Sequence, residues 1–289
     1  MKRLLKRFLN FFGIDVKKLL EQVSKFSIQL ALLQNRRGRL VKELKKIVPD
    51  ISNQESSEAS TFNDYWELKR RALQAFQCRL MLRALEGIEK RSLLVVDIGD
   101  SAGTHMLYLK SLAGNKFELD TVSVNLDPRA IAKIQARLLK AVLCRAEDFA
   151  MDDKKVDLFT SFQMVEHLHN PAIFFRRLAK KSSCDRMVVT VPYLKKSRVG
   201  LHHTRHGVVR PFFAEDEHIF ELCPQDWALL ILHAGWRVKH GEIYYQYPRK
   251  IPLVSPLLSW FWKNTDYEGF WGVVLEKDTT LSDCYQDWE

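Results

Sequence analysis

A buried strand that runs into a turn of mostly small residues constrains this chain more than any other feature. Residues 93–98 are apolar except for Asp97, and small residues dominate from Gly99 to Thr104, where a helical pattern begins. The apolar run predicts a strand inside a sheet. Small residues let the backbone of the following turn approach a bound ligand closely, because no Cβ stands in the way. We therefore expect either a ligand-binding turn at residues 99–104 or an ordinary tight strand-to-helix turn.

Two kinds of ligand compete for this turn. A dinucleotide fingerprint requires glycines at positions 99, 101 and 104, and only Gly99 satisfies it. An acid followed by glycines at alternate positions fits better, with Asp97, Gly99 and Gly103 in place and Ser101 at the middle position. This second pattern resembles the first motif of the class I S-adenosylmethionine-dependent methyltransferases. The resemblance implies that Asp97, Gly99, Ser101 and Gly103 bind S-adenosylmethionine.

The charge of the chain is concentrated at its start. The 289 residues carry a formal net charge of +10, and residues 1–48 hold 13 Lys and Arg against 3 Asp and Glu. The body is therefore balanced, so net charge does not indicate a groove for nucleic acid there, and no nucleic-acid partner is expected. The five cysteines form no C-x-x-C pair, which favours a cytoplasmic protein without a disulfide or zinc framework.

Residues 1–48 are expected to form a basic helical arm, joined to the body by a polar linker at residues 49–62. Leu and Phe recur at helical spacing within residues 1–12, with Lys and Arg on the other side. This pattern is typical of a helix that lies on an anionic membrane, which suggests peripheral association with the inner face of the membrane. Packing on the body, pairing in a homodimer and nucleic-acid binding are the alternatives. No segment is long enough to span a bilayer.

Strand and helix patterns alternate from residue 93 onward. The predicted strands are residues 93–98, 121–126, 141–144, 156–161, 187–191, 238–245 and 271–276. Such alternation predicts an α/β fold: a Rossmann-like, doubly wound sheet of seven strands, mostly parallel with an antiparallel last strand, after an N-terminal helical extension. This domain would occupy residues 63–289. An apolar insertion with several prolines at residues 247–270 is either a packed lobe or a second surface for membrane or lipid.

Ligands of such sheets bind beyond the carboxyl ends of the strands. In the class I methyltransferases an acid at the end of the second strand accepts hydrogen bonds from the ribose. Asn125 matches that position and Asp127 follows two residues later, so the residue that faces the ribose stays open. After the third strand, the resemblance implies adenine recognition by the segment that contains Ala146, Glu147 and Asp148. Phe162, at the end of the fourth strand, completes the cofactor-binding candidates.

The segment after the fourth strand, SFQMVEHLHNP at residues 161–171, carries a more specific resemblance. It resembles the signature of the branch that contains ubiquinone-biosynthesis O-methyltransferases, and the likeness extends over about residues 93–238. In metal-binding members of that branch, two glutamates and the adjoining histidine bind magnesium. The first of these positions is Gln163 here, and a neutral amide is a poorer ligand for a hard cation, so no metal is expected.

Methyl transfer to a hydroxyl requires positioning of the nucleophile and benefits from a base. His167 follows the fourth strand, His206 lies in the basic loop 201–210, and His218 comes after that loop, so all three are candidate catalytic residues. The resemblance implies a methyltransferase that acts on an oxygen of a small-molecule, glycan or lipid-linked acceptor, with some likeness to enzymes of bacterial surface-polysaccharide pathways. The alternatives are an RNA methyltransferase and a non-catalytic scaffold with this fold.

Overall fold

The structure is a computed structural model, and it describes residues 16–54, 62–149, 155–200, 207, 217–249, 251, 255–266 and 269–286. The helices are α1 (Val16–Gln34), α2 (Gly38–Ile47), α3 (Asp64–Ala84), α4 (Thr104–Ala113), α5 (Pro128–Ala136), α6 (Pro171–Lys181), α7 (Pro224–His233) and α8 (Ser255–Asn264). The strands are β1 (Ser92–Ile98), β2 (Glu118–Asn125), β3 (Lys140–Leu143), β4 (Leu158–Phe162), β5 (Arg186–Pro192), β6 (Arg198–Val199), β7 (Phe220–Glu221), β8 (Trp236–Tyr245) and β9 (Gly269–Lys277).

Seven of these strands form one sheet in the order β3-β2-β1-β4-β5-β9-β8. The first five are parallel to their neighbours, whereas β9 runs antiparallel to both β5 and β8. The predicted fold class is thereby confirmed, and the seven predicted strands lie within three residues of the observed ones. The short hairpin of β6 and β7, which forms a separate two-stranded sheet, has no apolar run and was not expected.

Helices cover both faces of the sheet, which explains why its strands are nearly continuous runs of Val and Leu. On one face, α3 and α4 bury Phe76 and Met106 against the sheet. On the other face, α6 and α7 bury Phe175 and Trp227. The carboxyl ends of the five parallel strands therefore meet at one edge of a sheet whose two faces are closed.

Helix α3 lies on a face of the sheet. The close approach depends on Gly272 of β9, because a Cβ there would lie 2.5 Å from Cζ of Phe76 and would also collide with Leu80. The packing carries Gln77 of α3 to Thr190 of β5, where the Nε2 amide group donates to the Thr190 hydroxyl over 3.1 Å. A helix that precedes the sheet in sequence thus supplies a polar side chain near the ends of the strands.

The helices before α3 pack on the body over the part of the predicted arm that the structure describes. Ile28, Leu44 and Ile51 are buried in the same core cluster as Phe76. The buried guanidinium of Arg71 ties these segments together, since it donates to the carbonyl of Pro49 over 2.7 Å and to the hydroxyl of Tyr108 over 3.1 Å. Residues 1–15 and 55–61, which include the predicted membrane-binding helix and half of the linker, lie outside the described residues.

The insertion at residues 247–270 is partly packed and partly exposed. Trp262 of α8 packs against the core, and the hydroxyl of Tyr247 lies 3.2 Å from that of Tyr65. Trp260, by contrast, is 64% exposed. Within the described part of the chain, every helix is too short or too polar to cross a membrane.

Candidate active site

The turn after β1 is held in its shape by Asp100. The buried Asp100 carboxylate accepts hydrogen bonds from the backbone N–H of Ala102 (3.0 Å) and Gly103 (2.7 Å) through one oxygen, and from the Ser123 hydroxyl (2.6 Å) through the other. Gly99 has a φ of 91° and Gly103 a φ of 74°, which are values that favour glycine. The predicted tight turn is present, and its small residues are required by backbone conformation and by close packing.

Asp97 is a buried acid with one unsatisfied oxygen. Its Oδ1 accepts from the hydroxyl of Thr160 over 2.8 Å, whereas its Oδ2 has no hydrogen-bond partner among the described residues. Burial, and next the negative charge of Asp100, raise the pKa of Asp97 well above its usual range. A buried carboxyl oxygen without a hydrogen bond destabilises the fold unless a donor reaches it. This oxygen fits a ligand that brings an ammonium or hydroxyl group to the turn.

His105, at the start of α4, stands beside Asp97 as a neutral ring. Burial lowers the pKa of His105 to about 4. Its Nδ1 lies 3.9 Å from Asp97 Oδ2, so at neutral pH this contact is not an ion pair. The Nε2 atom is 2.9 Å from Gln77 Oε1, and the ring contacts that of Phe162 with centroids 4.5 Å apart. Sequence reasoning missed His105 and Gln77, because only the packing of α3 brings them together.

Asn125, the residue at the predicted ribose position, uses both ends of its amide within the protein. Its Nδ2 donates to the carbonyl of Asp100 over 2.9 Å, and its Oδ1 accepts from the backbone N–H of Asp127 over 2.8 Å. Asp127 itself caps α5 by accepting from the N–H of Arg129 over 2.9 Å. Both candidates therefore already have structural roles near the turn. Asn125 links β2 to the turn, and Asp127 caps α5.

The remaining cofactor candidates lie at the ends of β3 and β4. Ala146, Glu147 and Asp148 form a short 3₁₀ turn after β3. Asp148 is exposed, with an oxygen 3.5 Å from the guanidinium of Arg177, whereas the Glu147 side chain is largely shielded. Ser101 is half-buried in the turn after β1, and Phe162 ends β4. The structure thus places these residues along one edge of the sheet.

Two of the three predicted catalytic histidines lie together. The rings of His167 and His218 meet at an angle of 83° with centroids 4.8 Å apart. The hairpin of β6 and β7 brings them close, because the N–H of Ile219 donates to the carbonyl of Glu166 over 2.8 Å. His167 Nδ1 lies 2.9 Å from the carbonyl of Glu217, so Nδ1 carries the proton and Nε2 the lone pair of the neutral ring. His206 lies outside the described residues.

Glu166 is the buried group of this histidine cluster. The side chain is 1% exposed, and neither of its carboxyl oxygens has a hydrogen-bond partner among the described residues. Burial raises the pKa of Glu166 to about 8. Glu166 is therefore mostly a neutral carboxylic acid at pH 7, next to two imidazoles.

The set of residues that binds magnesium in the ubiquinone branch is not assembled here. Gln163 turns its amide to the hydroxyl of Thr190, over 3.2 Å, and its backbone has a φ of 53°. Glu166, His167 and His218 do offer possible ligand atoms within 4.8 Å of one another. They lack the second carboxylate that a hard cation prefers. The absence of a metal stays a prediction.

Comparison with known proteins agrees with this geometry. Residues 96–181 match the family model described as a methyltransferase domain. No curated protein matches the sequence. Among solved structures, 1,6-didemethyltoxoflavin-N1-methyltransferase of Burkholderia thailandensis, bound to its substrate and S-adenosylhomocysteine, is 14% identical with a TM-score of 0.50, over 71% of this chain and 78% of that one.

Two other structures are similar to the same extent. A protein proposed to be a sarcosine dimethylglycine methyltransferase, from Galdieria sulphuraria, is 14% identical with a TM-score of 0.51, over 73% of this chain and 87% of its own. A protein proposed to be a methyltransferase, in complex with the Trm112 methyltransferase activator of Haloferax volcanii, is 12% identical with a TM-score of 0.50, over 72% of this chain and 93% of its own. At these identities the likeness establishes the fold.

The chain thus has the class I methyltransferase fold and a match to a methyltransferase domain over residues 96–181. Both agree with the predicted cofactor, S-adenosylmethionine. The narrower likeness to ubiquinone-biosynthesis O-methyltransferases is not confirmed, and the specific roles of the site residues remain predictions.

Proposed function

We propose that this protein transfers a methyl group from S-adenosylmethionine to an oxygen of a small-molecule, glycan or lipid-linked acceptor. The unsatisfied Oδ2 of the buried Asp97, beside the glycine turn, is the observation that carries the proposal. The domain match at residues 96–181 supports it. An ammonium group is the donor that a buried carboxylate accepts most favourably, and S-adenosylmethionine carries one in its methionine part.

Different residues along the edge of the sheet would bind different parts of the cofactor. Asp97 and the turn residues Gly99, Ser101 and Gly103 would hold the methionine part, and Asn125 or Asp127 the ribose. Ala146, Glu147, Asp148 and Phe162 would surround the adenine. The bound cofactor supplies an electrophilic methyl group on a sulfonium. Asn125 uses one amide N–H on the Asp100 carbonyl and one lone pair of its oxygen on the N–H of Asp127, so one N–H and one lone pair are left for the ribose.

His167 is the residue best placed to take the proton of an acceptor hydroxyl. Its Nδ1–H is oriented by the carbonyl of Glu217, which leaves the basic lone pair on Nε2. His218 packs edge-on against this ring, and its own Nδ1 lies 3.3 Å from Glu221 Oε1. A carboxyl oxygen of the neutral Glu166 lies within 4.8 Å of a nitrogen of each ring.

Binding of S-adenosylhomocysteine tests the proposed cofactor site. The variant Asp97→Asn tests whether the methionine part of the ligand lies at Asp97. We expect Asp97→Asn to weaken S-adenosylhomocysteine by about 10- to 100-fold, since a hydrogen bond to a charged group contributes roughly 1.5–3 kcal/mol. Binding of 5′-methylthioadenosine, which lacks the ammonium, should not change. Isothermal titration of both ligands measures this, with Asp120→Asn on β2 as the control. Failure of the wild type to bind S-adenosylhomocysteine at millimolar concentration would contradict the proposed function.

Exchange of His167 for asparagine tests the base. Asparagine keeps an N–H near the position of Nδ1, so the bond to the Glu217 carbonyl is retained while Nε2 is lost. We expect turnover to fall by about 10²- to 10⁴-fold with unchanged affinity for S-adenosylhomocysteine. Transfer of a tritiated methyl group into a small-molecule cell extract measures turnover, with the exposed His169→Asn as the control. Equal turnover of His167→Asn and the control would exclude His167 as the base.

The predicted membrane contact of residues 1–12 stays a proposal, since those residues lie outside the described part of the chain. One observation on the following helix supports it. Three apolar side chains of α1 are exposed, Val23 by 55%, Phe26 by 66% and Leu33 by 73%. Their spacing places them on one side of the helix. Such a stripe suits an anionic bilayer, because the segment around it is strongly basic.

A further inference from the structure

At the start of the insertion, a guanidinium group stacks on two aromatic rings and has no counterion within the part of the chain that the structure describes. The Cζ atom of Arg249 is 3.5 Å from the ring centroid of Tyr245 and 3.8 Å from that of Trp262. Its Nε is buried without a hydrogen-bond partner, and no carboxylate pairs with Arg249 among the described residues. The N–H groups of a guanidinium form a planar fork at its edge, so an arginine that stacks on aromatic rings still hydrogen-bonds through that edge.

This stacked arginine belongs to the edge of the sheet that carries the candidate active site. Tyr245 ends β8, and its ring packs edge-on against Tyr193, with centroids 5.8 Å apart. Tyr193 directly follows β5, and its N–H donates to the carbonyl of Gly269 over 2.9 Å. Strand β5 is the neighbour of β4, after which Glu166 and His167 follow. The ends of β4, β5 and β8 therefore place Arg249 and the proposed base at the same edge of the sheet.

Several hydrogen bonds fix the aromatic rings in place. Lys195 donates through its ammonium to the carbonyls of Trp262 and Thr265, the second over 2.6 Å, at the end of α8. Its backbone N–H donates to Asp266 Oδ1 over 2.8 Å. The indole N–H of Trp262 donates to the carbonyl of Pro248 over 3.3 Å. The segment after β5 and helix α8 are thus tied together around the arginine, so the guanidinium is oriented before any ligand arrives.

We propose that Arg249 binds an anionic group of the methyl acceptor, a carboxylate or a phosphate, and that the rings of Tyr245 and Trp262 hold the guanidinium for it. The inference rests on the proposed methyl transfer and narrows its substrate class. A partly buried charge that has no counterion among the described residues is unfavourable, and an oxyanion on the edge of the guanidinium removes that cost. Arg249 is a residue that the sequence analysis did not single out.

Binding of small aromatic probes tests this site in the full-length protein saturated with S-adenosylhomocysteine. The probes are phenyl phosphate, benzoate and the neutral benzyl alcohol, measured by saturation-transfer NMR. We expect at least one of the two anions to bind, and to bind about 10-fold or more weakly to Arg249→Met, since a charged hydrogen bond is lost. Benzyl alcohol should bind both proteins equally. The anion that binds more tightly shows whether the acceptor carries a phosphate or a carboxylate.

Further variants separate charge from packing. Methionine keeps an apolar chain between the two rings, and Arg249→Lys keeps the charge without the planar fork, so we expect Arg249→Lys to be intermediate. Arg91→Gln, at the opposite end of the sheet, changes the net charge equally and should bind the anions like the wild type. Absence of anion binding to the wild type, or equal binding to Arg249→Met, would overturn the inference. Failure to bind S-adenosylhomocysteine would instead count against the proposed function.

Discussion

Replacement of Gly99 by alanine is expected to cost roughly 2–5 kcal/mol of folding stability and to weaken S-adenosylhomocysteine by about 100-fold or more. A Cβ at this position would lie 2.6 Å from Cγ and 2.9 Å from Cβ of Met164. These atoms are close to the backbone of Met164, so a change of rotamer does not remove the collision. The residue also has a φ of 91°, which alanine rarely adopts. The turn must therefore move away from the position that is proposed to hold the cofactor.

Gly87→Ala is a matched control for this prediction. Gly87 has a φ of 73°, and a Cβ there would have no atom within 4 Å. Its replacement should therefore cost only the backbone strain, about 1 kcal/mol. The difference between the two variants, measured by urea denaturation, isolates the collision with Met164. If Gly99→Ala costs no more than Gly87→Ala and leaves the Kd of S-adenosylhomocysteine unchanged, the packing of the turn against the end of β4 is not important for binding.

The fold could be predicted from the sequence because each element has a local cause. The strands are apolar runs, and Asp127 and Asn170 accept hydrogen bonds from the first turns of α5 and α6, where proline follows each of them. The antiparallel last strand could also be predicted, whereas helix α8, which lies between β8 and β9, was not predicted within the insertion. The β6–β7 hairpin could not, because two-residue strands leave no periodic pattern.

The site could be predicted only where its residues are neighbours in sequence. Asp97, Gly99 and Gly103 form one motif, and that motif led to a glycine turn that the structure contains. The approach of Gln77 to His105 depends instead on Gly272, because a glycine at this position lets α3 pack closely on the sheet. The hydrogen bond from the Asn125 amide to the carbonyl of Asp100 could not be inferred from the spacing of residues in the sequence. Contacts of this kind are decided by tertiary packing.

The contact between His167 and His218 could be predicted only in part. Both histidines were singled out by the sequence, but their contact depends on the hairpin that follows β5. Gly200 is essential to this hairpin, because a Cβ at that position would collide with the carbonyl of His218. The burial of Glu166 beside the two histidines could not have been expected, since an acid after a strand is more often exposed. The burial of Glu166 is expected to make the folding stability depend strongly on pH.

Glu166→Gln is expected to stabilise the protein strongly at alkaline pH and hardly at all at pH 5. Burial raises the pKa of Glu166 to about 8, above the ordinary value of 4.5 that it has in the unfolded chain. The folded state thus retains a proton that the unfolded state releases, so wild-type stability falls as the pH rises from about 4.5 to about 8. The slope is about 1.4 kcal/mol per pH unit, which gives roughly 3–5 kcal/mol over the whole interval. Glutamine has no such dependence.

Urea denaturation at pH 5, 6.5 and 8 in the presence of EDTA measures this effect, with the exposed Glu118→Gln as the control. The free energy of unfolding of Glu166→Gln should exceed that of the wild type by an amount that grows with pH, whereas Glu118→Gln should stay parallel to the wild type. No gain at pH 8 would mean that Glu166 is ionised beside a protonated histidine. A gain in stability together with a loss of turnover would show that the buried acid costs stability for the sake of catalysis, because groups with such strongly shifted pKa values concentrate at functional sites.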